Sequence, residues 1–183
     1  NTYTGATTVT SGALNIQNNT ALGTVAGGTT VASGAALELQ GGITVGAEAL
    51  TLTGRGISSG GALRNVSGNN SYAGAVTLAS LSRINSDSGT LTLTGGVTNA
   101  GFLLSVGGAG NTLFDTAAIA GLGGFTKDGT GIATFNFANT YTGATPISAG
   151  TLRLGAADRI NDTSVTTVAS GGTFDLNGNN ETL

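Results

Sequence analysis

A chain of 183 residues is long enough for one globular domain or one stretch of a repetitive array. Only 8% of it is charged, against about 25% in an average soluble domain, and its net charge of −3 with no basic stripe argues against a nucleic-acid partner. The absence of cysteine and histidine removes disulfides, thiolate metal sites, catalytic triads and ordinary zinc sites, and no apolar run approaches the ~20 residues of a membrane helix.

Glycine contributes 33 residues, without the Gly-X-Y period of collagen, and Pro146 is the one proline. Thr, Val, Ala, Leu, Ser and Asn fill the rest, the mixture expected of short strands closed by tight turns. In chain order, Asn1–Thr7 reads NTYTGAT, and Ala13–Ile16 alternates with period two. Thr29–Gly34 reads TTVASG and leads into a second alternating stretch at Ala36–Leu39. Leu50–Gly54 reads LTLTG, and the same word returns at Leu91–Gly95, overlapping the strand-like Thr90–Thr94. Asn70–Ala75 is a looser copy of the opening word, and Asn139–Thr145 repeats it letter for letter before the strand-like Thr151–Leu154. TTVASG recurs at Thr166–Gly171. The three copies of the opening word start 69 residues apart each time, and all three tyrosines, Tyr3, Tyr72 and Tyr141, stand at one motif position. The sequence therefore divides a single segment, 1–183, into repeat units 1–69, 70–138 and a partial 139–183.

Repetition at a fixed period with strand-like pieces predicts a solenoid. Strands of three to five residues separated by Gly-Gly, Ser-Gly and Asn-Gly turns fit an all-β, right-handed parallel β-helix, the hand following the crossover rule. At about 20–24 residues per rung the chain makes about eight rungs, stacked about 4.8 Å apart. Inward Val, Leu and Ile are expected to stack on like residues, with Asn, Thr and Ser in ladders at the turns. The opening word reads as a corner: Asn139 accepts backbone hydrogens, Tyr141 covers the end of the core with its hydroxyl in water, and Gly143 permits positive φ or close approach. Thr145–Ser148 then begins the next strand. Asn1, Tyr3, Gly5, Asn70, Tyr72 and Gly74 hold the same positions in the other copies.

The stretch Gly123–Ile160 resembles the autotransporter-associated β-strand repeat, also called the passenger-associated transport repeat. Lys127, Gly129, Gly131, Asn139 through Gly143, Ile147, Gly150, Thr151 and Leu152 match its pattern, whereas Phe125, Ala133 and Phe137 depart from it conservatively. Asn1–Ile16 is the second half of another copy, and Asn70–Leu78 a degenerate third. The resemblance implies a β-helical passenger of a type V secreted bacterial protein, at the outer-membrane surface or outside the cell. It implies a translocating outer-membrane β-barrel elsewhere in the parent chain and no membrane insertion of this segment. Because the chain starts inside its own motif, it reads as a fragment or processed form. Open solenoid ends add end-to-end self-association as an expectation, and an adhesin or filament module as the second function.

No cofactor or enzymatic activity is expected. Asp158 and Asp162, beside Arg159, are the closest approach to a carboxylate pair, and a solvated turn accounts for them. Gly107–Asp115 resembles a calcium-binding nonapeptide, but Thr112 stands where aspartate is required. Thr126–Gly131 lacks the register of a phosphate loop, and Asn65-Val66-Ser67 reads as an incidental glycosylation triplet. The Thr-x-Thr pairs at Thr51–Thr53 and Thr90–Thr94 resemble ice-binding faces, but most rungs lack such a pair.

Overall fold

The computed structural model describes all 183 residues. The strands pair in parallel throughout, and the chain coils through about eight turns of a β-solenoid with three faces. The first face begins with Thr7–Val9 and continues through Thr29–Val31, Leu50–Gly54, the start of Val76–Ser86, Val97–Thr98 and Ile119–Ala120. The second runs from Ala13–Ile16 through Ala36–Gln40, Leu63–Ser67, the end of Val76–Ser86, Leu104–Gly107, Phe125–Lys127 and Thr145–Ile147 to Thr166–Val168. The third opens at Thr44–Val45 and passes through Asn70–Tyr72, Thr90–Leu93, Asn111–Phe114, Ile132–Phe135 and Gly150–Leu154 to Gly172–Asp175.

The register gives the turn length directly. Thr7 faces Thr29, Thr29 faces Leu50 and Leu50 faces Val76, steps of 22, 21 and 26 residues. The long step contains the excursion that carries the chain's one 3-10 turn, Ile57–Ser59. Val76–Ser86 is 11 residues long because it runs straight through the corner between the first and second faces.

Alternation turns one residue in two inward, and stacking lines those residues up along the axis. On the second face one inward column reads Leu14, Leu37, Leu63, Ile84, Val106, Lys127, Ile147, Val168, one residue per turn for eight turns. On the third, Val45, Tyr72, Leu93, Phe114, Phe135 and Leu154 form another. Apart from Lys127 and the end members Leu14 and Val168, of which Leu14 is partly buried and Val168 exposed, these columns belong to one continuous core of 32 buried residues. In the later turns the core is aromatic: Phe114, Phe125 and Phe135 meet edge-on, with ring centroids 4.9–6.0 Å apart, the geometry the ring quadrupoles favour.

At the corners, where strand pairing breaks, asparagine side chains replace the missing backbone partner. Asn19, Asn69 and Asn111 each accept a hydrogen bond from the backbone N–H of a neighbouring turn, at Thr44, Thr90 and Ile132 respectively, at 2.8–3.0 Å. At the last turn, the Glu181 carboxylate accepts the N–H groups of Arg159 and Ile160 in the connection between strands.

Charges that lie far apart in sequence converge on the outside of the second face. Asn15 donates to Glu38, Glu38 pairs with Arg64, and Arg64 pairs with Asp87. Asn85 donates to Asp87 and accepts from Arg83, and Arg83 grips both carboxylate oxygens of Asp128 at 2.6 Å. This last pair spans two turns across Gly107, where a Cβ would strike both the Asp128 carboxylate and the Arg83 guanidinium. Three of the six cations that look scattered in sequence, Arg64, Arg83 and Arg153, are thus paired with carboxylates within the fold.

Candidate functional site at the repeated corner

The word NTYTGAT builds the same local geometry in its two full copies. Asn1 Nδ2 donates to the Ala21 carbonyl at 2.8 Å and Asn139 Nδ2 to the Arg159 carbonyl at 3.0 Å, each 20 residues ahead. Asn139 also reaches backwards, its Oδ1 accepting from Ile119 N–H at 2.7 Å, so one side chain stitches three turns. Tyr3 meets the Thr7 hydroxyl at 2.7 Å and Tyr141 that of Thr145 at 2.8 Å, four residues on in both cases.

The expected wet hydroxyl is corrected at Tyr141, which is fully buried. Its hydroxyl heads a chain: Tyr141 to Thr145, Thr145 to Ser164 at 2.7 Å, and Ser164 to the Gly143 carbonyl at 2.8 Å. Each hydroxyl has one hydrogen, and Ser164 spends its own on the carbonyl. Thr145 therefore donates to Ser164, and Tyr141 to Thr145. Burial raises the Tyr141 phenol above its ordinary pKa. Tyr3, on the first turn, remains partly exposed.

The looser copy shows what the word is for. Tyr72 is fully buried, but Val76 stands where Thr7 and Thr145 stand, and the Tyr72 hydroxyl has no partner. Burial, and then the charge of Glu48, raise this phenol too. Asn70 is also buried. It accepts from Ile43 N–H at 2.7 Å and donates to the Ser67 carbonyl and to the Asn65 side chain. Asn65 is held by Ser86 and the Ser88 carbonyl and is fully buried, so the asparagine of that triplet has its side chain inside the fold.

The two full copies serve different corners. Asn1–Ile16 carries the chain into the first face and then the second, whereas Asn139–Leu154 leaves the first face for the second and third. TTVASG behaves likewise: Thr29–Val31 lies on the first face and Thr166–Val168 on the second.

Lys127 is the unexpected member of the core. It occupies an aliphatic position between Val106 and Ile147 and is 1% exposed. Its stem fills the column, and its ammonium turns out to the corner, donating to the carbonyls of Asp128 at 2.6 Å, Gly129 at 3.0 Å and Ala149 at 3.4 Å. Gly129 and Gly150 take positive φ, 71° and 65°, at this corner, and Gly131 packs directly on the carbonyl of Gly110. Gly143 and Gly74 pack equally tightly on the backbone of the preceding turn, while Gly5 has open space. Leu152 is buried between Ala133 and Phe174. Burial pushes the Lys127 ammonium down to about 8; the Asp128 carboxylate opposes this and the Arg83 guanidinium adds to it.

The remaining candidates are not assembled into a site. Asp158 and Asp162 are exposed on a turn outside both cavities of the molecule. Asp115 accepts from Asn136, and no three acidic side chains are gathered for a metal ion. No helix is long and apolar enough to cross a membrane.

The passenger-associated-transport-repeat family matches residues 1–16 and 125–154, the two segments that build these corners. The looser copy at Asn70–Leu78 lies outside the match. No curated protein and no solved structure matches the chain.

Two outcomes follow for stability. Replacing Tyr141 by Phe breaks the hydroxyl chain and lowers unfolding free energy by about 1 kcal/mol, whereas Tyr72→Phe removes a buried unpartnered hydroxyl and raises it by a similar amount; urea denaturation of both variants reads the difference. The second concerns pH. Between about pH 8 and the ordinary lysine value of 10.5, folded Lys127 has lost a proton that the unfolded chain still holds, so stability rises with pH. Above about 10 the unfolded chain sheds tyrosine protons that Tyr72 and Tyr141 retain, and stability falls again. Denaturation curves from pH 8 to 10 should show a gain of about 1–2 kcal/mol that Lys127→Met abolishes.

Proposed function

We propose that this solenoid is a structural, non-enzymatic stalk within an autotransporter passenger, displayed at the bacterial surface or outside the cell. In this reading it supports folding and export of the parent chain, whose β-barrel would provide the passage. The observation that carries the proposal is the pairing pattern. Every strand pairs only with strands of the adjoining turns, so structure can spread turn by turn as the chain emerges, without waiting for distant segments. Folding on the outer side then opposes backward sliding. Leu152 is fully buried, and an aspartate there places a charge in the core. In the parent passenger, pulse-chase surface labelling should show Leu152→Asp appearing several-fold more slowly than an outward Thr134→Asp control; equal rates would overturn the proposal.

A second reading is a self-associating module, and the 183-residue segment taken by itself offers the strand edges that reading needs. Thr7–Val9 and Ala13–Ile16 at one end, and Thr166–Val168 and Gly172–Asp175 at the other, each leave one edge unpaired, and Val165 and Val168 are exposed beside them. Such edges are templates for further parallel strands. Sedimentation velocity over a hundred-fold concentration range should then show mass rising with concentration and reverting in Val168→Lys. A monomer throughout would discard this reading.

A further inference from the structure

One corner column carries glycine on every one of five successive turns except one. Where the third face turns into the first, the column reads Gly5, Gly27, Glu48, Gly74, Gly95. A Cβ on Gly27 would collide with the Gly5 carbonyl, one on Gly74 with that of Glu48, and one on Gly95 with that of Gly74. Over these five turns packing at the corner is met by glycine with one exception, a carboxylate; on the next turn the column carries the small side chain of Ala117.

Glu48 is the one acidic residue buried in the fold, 3% exposed. Its side chain accepts one hydrogen bond, from Thr29 Oγ1 at 3.1 Å. All four ion pairs of the protein use other acids. A buried carboxylate is ordinarily matched by a cation or by several donors, because stranding it costs several kcal/mol.

The surroundings are shaped to admit a partner. The third face has its first strand at Thr44–Val45; on the turn before, the chain crosses this face as a loop, tied to the strand by Asn19. Between loop and strand lies a cavity of about 300 Å³ lined by Glu48, Thr24, Thr20, Leu22, Val25 and Val45. Thr24 Oγ1 is buried there without a hydrogen-bond partner. The volume is at the lower end for small-molecule sites, with apolar walls and few polar groups. A hard metal ion would want six or more oxygen ligands, whereas an ammonium group needs only three acceptors.

We infer that this cavity binds a small organic ammonium ion. Its –NH3⁺ group sits between the Glu48 carboxylate and the Thr24 hydroxyl, and its short apolar body lies against Leu22, Val25 and Val45. The inference is independent of any role in export.

The test is an NMR titration of the isotope-labelled 183-residue chain at neutral pH with propylamine, using propanol and calcium chloride as comparisons. Saturable shifts centred on Thr24, Gly46 and Glu48 are expected with propylamine alone, weakened about tenfold or more in Glu48→Gln. The side-chain carboxyl carbon of Glu48 in the unaltered protein gives a reading that does not depend on the variant folding: it moves with the amine and not with the alcohol. No saturable shift with propylamine, an equal response to propanol, a response to calcium in place of the amine, or undiminished binding in Glu48→Gln would each overturn the assignment.

Discussion

The hydrogen bond between successive turns is the interaction on which everything else depends. Each short strand has its backbone partners only above and below, so every residue must keep pace with its equivalents one turn away. Strands satisfy this by themselves; corners do not. Buried backbone groups left without partners at eight turns of corners would outweigh the gain from the thin core. The asparagine side chains of residues 19, 69, 111 and 139 supply the missing acceptors. Glycines let one backbone lie directly on the next. The Asn/Gly richness of the composition is therefore a consequence of corner chemistry.

The same constraint explains how polar groups come to lie inside. A column is fixed in place by its neighbours, so a residue of the wrong chemistry cannot slip aside; it has to be satisfied where it stands. Lys127 does so by lending its stem to the column and its ammonium to three carbonyls. Asn65 and Asn70 do so by binding each other and the corner backbone. Tyr72 shows an incomplete solution: one threonine-to-valine change in the word, at Val76, leaves its hydroxyl unpartnered.

Much of the fold was legible because alternation and repetition are local signals. The strands at Ala13–Ile16, Ala36–Leu39, Thr90–Thr94 and Thr151–Leu154 stand close to where the pattern puts them. So do the parallel stacking and the number of turns. What depends on register was not legible. Arg83 and Asp128 are 45 residues apart and meet only because two turns intervene. The burial of the Tyr141 hydroxyl follows from Ser164, one turn ahead, which no local pattern announces. Glu48 looks like any turn acid until the four other residues of its column from Gly5 to Gly95 are seen to be glycine. Sequence words, in turn, suggest fixed places on the coil, but a word encodes only a bend, and the face it joins is set by all the residues counted before it.

That independence of word and face has a geometric meaning. From Tyr3 to Tyr72 the chain makes three turns, one of them lengthened by the excursion around Ile57–Ser59. From Tyr72 to Tyr141 it makes three ordinary turns and then one face more. The sequence period and the structural pitch are two rulers with different spacings, laid side by side like a vernier. An inserted or deleted loop shifts one scale against the other and leaves each bend intact. A coil built this way can lengthen by duplicating its words without aligning them: the first two copies share a direction around the axis, and the third is turned by one face.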